Sequence, residues 1–345
     1  MIARYNLRYL KKVAKLTVLQ DFVKALFADE EMNKNHRLAA VNSINWARIL
    51  AQITYYFASY FAISRSSSTN EPIRFVVPTG NFGDILAGYF AKRMGLPIEK
   101  LVIATNDNDI LHRFWRSGAY EKKPAQSENV ADGFVEDGAK AHEDGAKETL
   151  SPAMDILVSS NFERLLWFLA YEGLGHGSIE SRRHTAGAKV RSWLGQLKSS
   201  GGFKVEPEIL DAARENFESE RVSDEQTVET IKEVFSWPNT PGAKAYILDP
   251  HSAVGVNAAL RSIQRSPKAK HIALSTAHPA KFSKAVEMAL SHVNEFTFMN
   301  VLPKEFVGME DLPRKVIHVR KSDGLQGLRE LVIKAVEIEL TAASS

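Results

Sequence analysis

Two glycines, Gly80 and Gly83, stand where an apolar run gives way to a helical pattern in RFVVPTGNFGDILAGYF, residues 74–90. The first N–H groups of a helix have no partner within it and carry the positive end of its dipole, so an oxyanion suits that position. Glycine removes the side chain that would hold such an anion off the backbone. No Lys-Ser or Lys-Thr follows at the spacing of a Walker loop, and the pattern is not the G-x-G-x-x-G of dinucleotide folds. The guest that fits is a phosphate held but not transferred. A tight turn needing φ > 0 would explain the same residues with no ligand at all. Asp84 suits the first helical turn through the dipole but would repel a dianion if it pointed inward, so it is expected to cap the helix and face away.

Other residues offer polar chemistry. NSINWAR presents Asn42, Ser43, Asn45 and Arg48 within one short stretch, and Asn45 and Arg48, three apart, share a helix face. An arginine fork fits phosphate or carboxylate, with Lys281 as a further point charge; the plain alternative is a capped helix start with a surface arginine. Ser275 or Thr276 could cap a helix entered at Pro279. His251 and His278 have acid–base potential but are read as structural, and Asp249 before Pro250 as a chain turn.

These groups need a scaffold, and the chain is long enough for two domains or one large α/β domain with an appendage: 345 residues, 44% hydrophobic and 25% charged. The net charge of +3 with mixed signs gives no nucleic-acid groove. The absence of cysteine excludes disulfides, Cys-based zinc sites and a thiol nucleophile, and fits a reducing, cytoplasmic setting. No metal site is expected. The longest apolar run, residues 49–63, is interrupted by Gln52, Thr54 and Ser59 and is shorter than a membrane span of about 20 residues. It reads as a buried or subunit-interface helix.

Strands are expected at 73–77, 101–105, 245–249, 271–276 and 315–320. Helical patterns occupy the segments between, including 20–27, 45–61, 84–93, 110–116, 161–171, a polar helical stretch at 190–236, and a C-terminal helix from Leu325. Strands separated by helix-length segments imply an open, mostly parallel sheet with helices on both faces. Four polar loops then follow strand ends on one edge, at 79–84, 106–109, 249–252 and 275–278, where ligands bind in such sheets. Residues 121–149 carry EDGAK twice with almost no apolar periodicity and are expected to be a disordered insertion. The expected divisions are an atypical basic start at 1–19, a remnant of a smaller cofactor-side domain at 20–70, a large α/β domain at 71–320 and a terminal helix at 321–345.

Five stretches in order resemble threonine synthase of the fungal type: AVNSINWARILAQITYYF (40–57), FVVPTGNFGDILAGYFAKRMGLPIEKL (75–101), LSPAMDILVSSNFERLLW (150–167), LDPHSAVGV (248–256) and LSTAHPAKF (274–282). The resemblance implies a fold-type-II pyridoxal-phosphate enzyme, laid out like the tryptophan synthase β subunit. Its reaction turns O-phospho-L-homoserine and water into L-threonine and phosphate. It also implies that Gly80, Asn81, Phe82, Gly83 and Asp84 cradle the cofactor phosphate and that Thr276 meets the pyridine nitrogen. Asn42, Ser43, Asn45, Arg48 and Lys281 then face the substrate.

The family's Schiff-base lysine lies in a Phe-Lys-Asp setting N-terminal to everything matched, and no Lys-Asp dipeptide occurs in these residues. Nothing around Lys12, Lys15 or Lys24 suggests a substitute, so no catalytic residue is assigned. The chain therefore resembles the C-terminal two-thirds of such an enzyme, and by itself is expected to form threonine negligibly. Two other readings stay open: another fold-type-II lyase or dehydratase, or a non-catalytic protein that keeps the phosphate cradle.

Overall fold

The computed structural model describes residues 25–36, 43–66, 71–122, 146–174, 176–237, 245–293, 296–312 and 323–344. The chain divides into two compact units, Asn42–Lys304 and Met1–Val41 with Glu305–Ser345. The smaller unit carries α1 (Glu30–His36) and the last helix of the chain. There Leu26, Met32 and Leu328 bury together, and Arg329 pairs with Asp29 and Glu31.

The larger unit begins with α2 (Trp46–Ser66), β1 (Ile73–Pro78), α3 (Gly83–Arg93), β2 (Ile98–Thr105), α4 (Ile110–Ser117) and β3 (Ala119–Glu121). It continues through α5 (Phe162–Gly173), α6 (Ile179–Ser199), β4 (Gly202–Lys204), α7 (Pro207–Asn216) and β5 (Phe217–Arg221). It closes with α8 (Asp224–Ser236), α9 (Pro250–Arg265), β6 (Lys270–Ala273) and α10 (Ser283–Leu290).

Four strands pair in parallel in the order β5-β2-β1-β6, and β3 and β4 form a separate antiparallel ribbon. β1 is central and buried along its whole length, as its apolar sequence requires for a strand covered on both faces. Phe75 and Val77 point into the larger core with Ile49, Tyr56, Leu86, Leu101 and Leu165. Val76 points the other way, onto Val254 and Ala258 of α9. The period-2 alternation of side chains along one strand thus serves two helical layers. The one charge on β1, Arg74, is buried and reaches Glu99 of β2 at 2.8 Å and Glu218 of β5 at 3.1 Å, tying three strands together.

Two expectations change. Residues 245–249 are not a strand: Leu248 fills the core under α8 and α10 while Asp249 caps α9, and no sheet neighbour meets them. The polar stretch 190–236 is not uniformly helical, for it includes β4 and the edge strand β5. α2, expected to be buried or at a subunit interface, buries one face and exposes the other. Ile49 and Tyr56 pack inward, whereas Trp46, Leu50 and Phe61 are exposed. The expected strand at 315–320, the basic start at 1–19 and all but the ends of the 121–149 insertion lie outside the described residues. Among the described residues no helix is long and apolar enough to cross a membrane.

Candidate oxyanion site

β1 ends at Pro78 and the chain enters α3 five residues later. Phe82 makes that entry in the left-handed region (φ 61°, ψ 16°), where it is the only non-glycine residue with positive φ among those described. A non-glycine side chain rarely accepts this conformation unless its surroundings demand it. Here the ring is locked in the core, 5.2 Å from Phe162 and stacked on Trp115 at 6.1 Å. A left-handed residue followed by a helical one curls successive N–H groups into a concave nest. Among the described residues no acceptor meets the N–H of Asn81, Phe82, Gly83 or Asp84. Four unpaired donors at a helix start have the chemistry and the dipole that suit an oxyanion.

The carbonyl side of the loop is, by contrast, fully engaged. Ser159 Oγ donates to Gly80 O at 2.6 Å. The Asn161 N–H and side-chain amide both donate to Asn81 O, at 3.1 and 3.0 Å. Ser160 donates to Asn81 Oδ1 through Oγ at 3.1 Å. Gly80 packs so closely that an added Cβ would lie 2.9 Å from the Ala153 carbonyl oxygen. Gly83 is less constrained, with 3.5 Å to Asn161 Nδ2 at the same imagined atom.

Asp84 neither caps α3 nor stands free. Phe82 is the cap residue and no side chain bonds there. The Asp84 carboxylate instead accepts from Tyr56 Oη at 3.3 Å, and the same hydroxyl donates to the Asp84 carbonyl at 2.8 Å. Burial pushes the Asp84 carboxyl up to about 6 against the lowering effect of the Tyr56 hydrogen bond. Burial, reinforced by Asp84, raises the Tyr56 hydroxyl well above its ordinary value.

On the other side of β1, β6 ends at Ala273 and delivers Ser275 and Thr276, both exposed. Asp249 accepts from His251 N–H at 2.9 Å and Ser252 N–H at 3.2 Å, and from Ser252 Oγ at 2.5 Å. Ser252 Oγ is 3.1 Å from Ser275 Oγ and accepts from Thr276 N–H at 3.2 Å. His251 Nε2 accepts from Ala153 N–H at 3.0 Å, so its proton sits on Nδ1, 3.3 Å from Asp249. Burial raises the Asp249 carboxyl, but the hydrogen bonds from His251 and Ser252 outweigh it and hold the group below its usual value.

The loops after β1 and β6 are therefore neighbours, bridged through Ala153, His251 and Ser252. Ser43 joins them, since Asn161 Nδ2 also donates to Ser43 O at 2.9 Å. Asn45 caps α2, with Oδ1 accepting from Ala47 N–H at 2.9 Å, and Arg48 is exposed one turn on. Lys281 lies exposed in a short 3-10 turn, Pro279–Lys281, capped by His278 rather than by Ser275 or Thr276. Asn42 lies outside the described residues. Ser159, Asn161 and Ser252 have no role legible in the local sequence, for no local pattern tells that they reach loop atoms far along the chain.

An all-parallel sheet whose polar loops gather outside the carboxyl ends of its strands, where the chain order reverses about β1, defines a ligand-binding α/β protein of the doubly wound class. Comparison shows what the chain is similar to. The family model described as "Threonine synthase, C-terminal" matches residues 252–332. Threonine synthase of Saccharomyces cerevisiae is 48% identical over 338 residues, 97% of this chain and 60% of that protein. The crystal structure of yeast threonine synthase superposes with a TM-score of 0.76 at 47% identity, over 95% of this chain and 58% of that one. A pyridoxal-phosphate-bound threonine synthase from Brucella melitensis gives 0.69 at 38% identity, over 93% of this chain and 58% of that one. Over nearly all of its length the chain is similar to threonine synthases in sequence and fold, and it spans about 60% of the length of the yeast relative.

Proposed function

We propose that this chain carries the cofactor-phosphate and substrate-facing part of a pyridoxal-phosphate-dependent threonine synthase. The overall reaction converts O-phospho-L-homoserine and water into L-threonine and phosphate. The observation that carries the reading is the set of four unpaired amides at Asn81–Asp84, held open at the switch point of the sheet. That donor set fits the cofactor's phosphate, and Asp84, turned to Tyr56, does not oppose it.

When bound, pyridoxal phosphate supplies an electron sink for carbanion chemistry on the amino-acid substrate. The chain's own residues bind and orient. The nest amides hold the anionic tail, and Gly80 and Gly83 keep its approach clear of side chains. Thr276, exposed at the end of the neighbouring loop, offers a neutral hydroxyl to the ring nitrogen. Asn42, Ser43, Asn45 and Arg48, with Lys281, receive the substrate's carboxylate or phosphate; Arg48 provides the planar fork such groups prefer. No described residue has the Phe-Lys-Asp setting of the family's lysine, so proton transfer at carbon is assigned to none of them. The cysteine-free composition suits work in the cytoplasm.

Titration of the purified chain, with pyridoxal phosphate present, against O-phospho-L-homoserine, L-serine, L-threonine and O-acetyl-L-serine tests the reading. Selective uptake of O-phospho-L-homoserine supports it. A preference for serine or threonine indicates a dehydratase, and for O-acetyl-L-serine a cysteine synthase. Cofactor uptake with no amino-acid binding indicates a non-catalytic protein that keeps the cradle.

A further inference from the structure

We infer that Asn161 is the positioning residue that aims the oxyanion-binding amides and ties them to the Ser43 stretch; this rests on the reading that the loop holds a phosphate. A peptide unit is planar and trans, so its C=O and the next residue's N–H point in opposite directions. Whatever grips a loop carbonyl therefore sets where the following N–H points. The Asn161 backbone and side-chain amides together occupy Asn81 O, at 3.1 and 3.0 Å, which turns the Phe82 N–H away from Asn161 and into the nest. Ser159 acts likewise on Gly80 O and so on the Asn81 N–H.

Asn161 is the stronger anchor of the two. Its side chain is wholly buried, and its second amide hydrogen bond, to Ser43 O at 2.9 Å, reaches the segment that faces the substrate. The two binding elements thus share one carboxamide. Asn161 Oδ1, moreover, is buried with no hydrogen-bond partner. Asn161 therefore acts on the loop through its donors, since its own carbonyl makes no hydrogen bond.

The test compares wild type with Asn161→Leu, Asn161→Asp and Glu163→Gln. Asn161→Asp keeps the shape and the acceptor but loses the amide donors, and it carries the test where Asn161→Leu does not fold. Glu163→Gln changes an exposed side chain two residues on and leaves both clamped carbonyls untouched. Pyridoxal-phosphate affinity, the 31P shift of its bound phosphate and amide exchange in the ligand-free chain are read together, on samples whose near-ultraviolet dichroism shows them folded. For both Asn161 variants we expect affinity at least about tenfold weaker, the loss of charge-assisted hydrogen bonds from misaimed donors. The 31P signal should move toward that of free cofactor, with faster exchange at Phe82. Glu163→Gln should stay within about twofold of wild type, as a change outside the clamp. A folded Asn161→Asp chain with wild-type affinity and an unmoved 31P signal overturns this inference alone. Uptake by no form, wild type included, overturns the phosphate reading and this inference with it.

Discussion

Tyr56 Oη lies 2.8 Å from the Asp84 carbonyl and 3.3 Å from its carboxylate, so one hydroxyl serves the first turn of α3 twice. Burial leaves that carboxyl titrating at about 6. Its value in the unfolded chain is about 3.9, so the folded state binds the proton more tightly. Stability from this group is then fully present below about pH 4 and is lost as the pH rises through about 6. Asp84→Asn is expected to stabilise the protein by about 1–3 kcal/mol at pH 8 and to change little at pH 4. Urea unfolding midpoints at the two pH values check this, and an equal effect at both contradicts it.

Gly88 sets how close α3 comes to α2. A Cβ there would meet the Tyr56 ring at 2.5 Å and Leu101 at 2.9 Å. Gly88→Ala is expected to cost about 1–3 kcal/mol through overpacking, despite the better helix propensity of alanine. Thermal unfolding reads it. A stabilised variant would show that this helix pair is looser than described.

Asp249 behaves oppositely to Asp84. Its hydrogen bonds from His251 and Ser252 depress the folded value, so its contribution is present above the unfolded value and fades as the pH falls through the folded one. Asp249→Ala removes a helix cap and leaves Ser252 Oγ without its acceptor, at a cost of about 1–3 kcal/mol near neutrality. The gap from wild type should narrow below about pH 4. Denaturant titrations at pH 7 and pH 3 measure it.

Gly80 separates loop function from fold. An added methyl meets backbone, at 2.9 Å from Ala153 O and 3.1 Å from Met154 Cα, so the loop itself must move. Gly80→Ala is expected to weaken pyridoxal-phosphate uptake at least about tenfold while costing only about 1–2 kcal/mol of stability. Equilibrium dialysis beside a melting curve shows which property changes more.

Legibility in the sequence followed the source of each signal. β1 and the LVIAT part of β2 could be read because a buried parallel strand is apolar, and α3 because its turn residues and period agree. β5 could not: FESER lies at a sheet edge, and its Glu218 and Glu220 pair with Arg74, Arg261 and Arg265 instead of contributing an apolar face. The AYILD run deceived for the converse reason, since its leucine fills a helical core without joining the sheet. Gly80 and Gly83 were legible as local backbone requirements. Ser159, Asn161, Ser252 and Tyr56 were not, because each acts on a main-chain atom or hydroxyl more than twenty residues away in the chain.

The most direct measurement of the central claim is a titration of this chain with pyridoxal phosphate, wild type against the double variant Gly80→Val and Gly83→Val. The account predicts saturable uptake by wild type, competed by inorganic phosphate, and its loss in a double variant that still folds. Uptake that survives both valines, or none by the wild type, contradicts it.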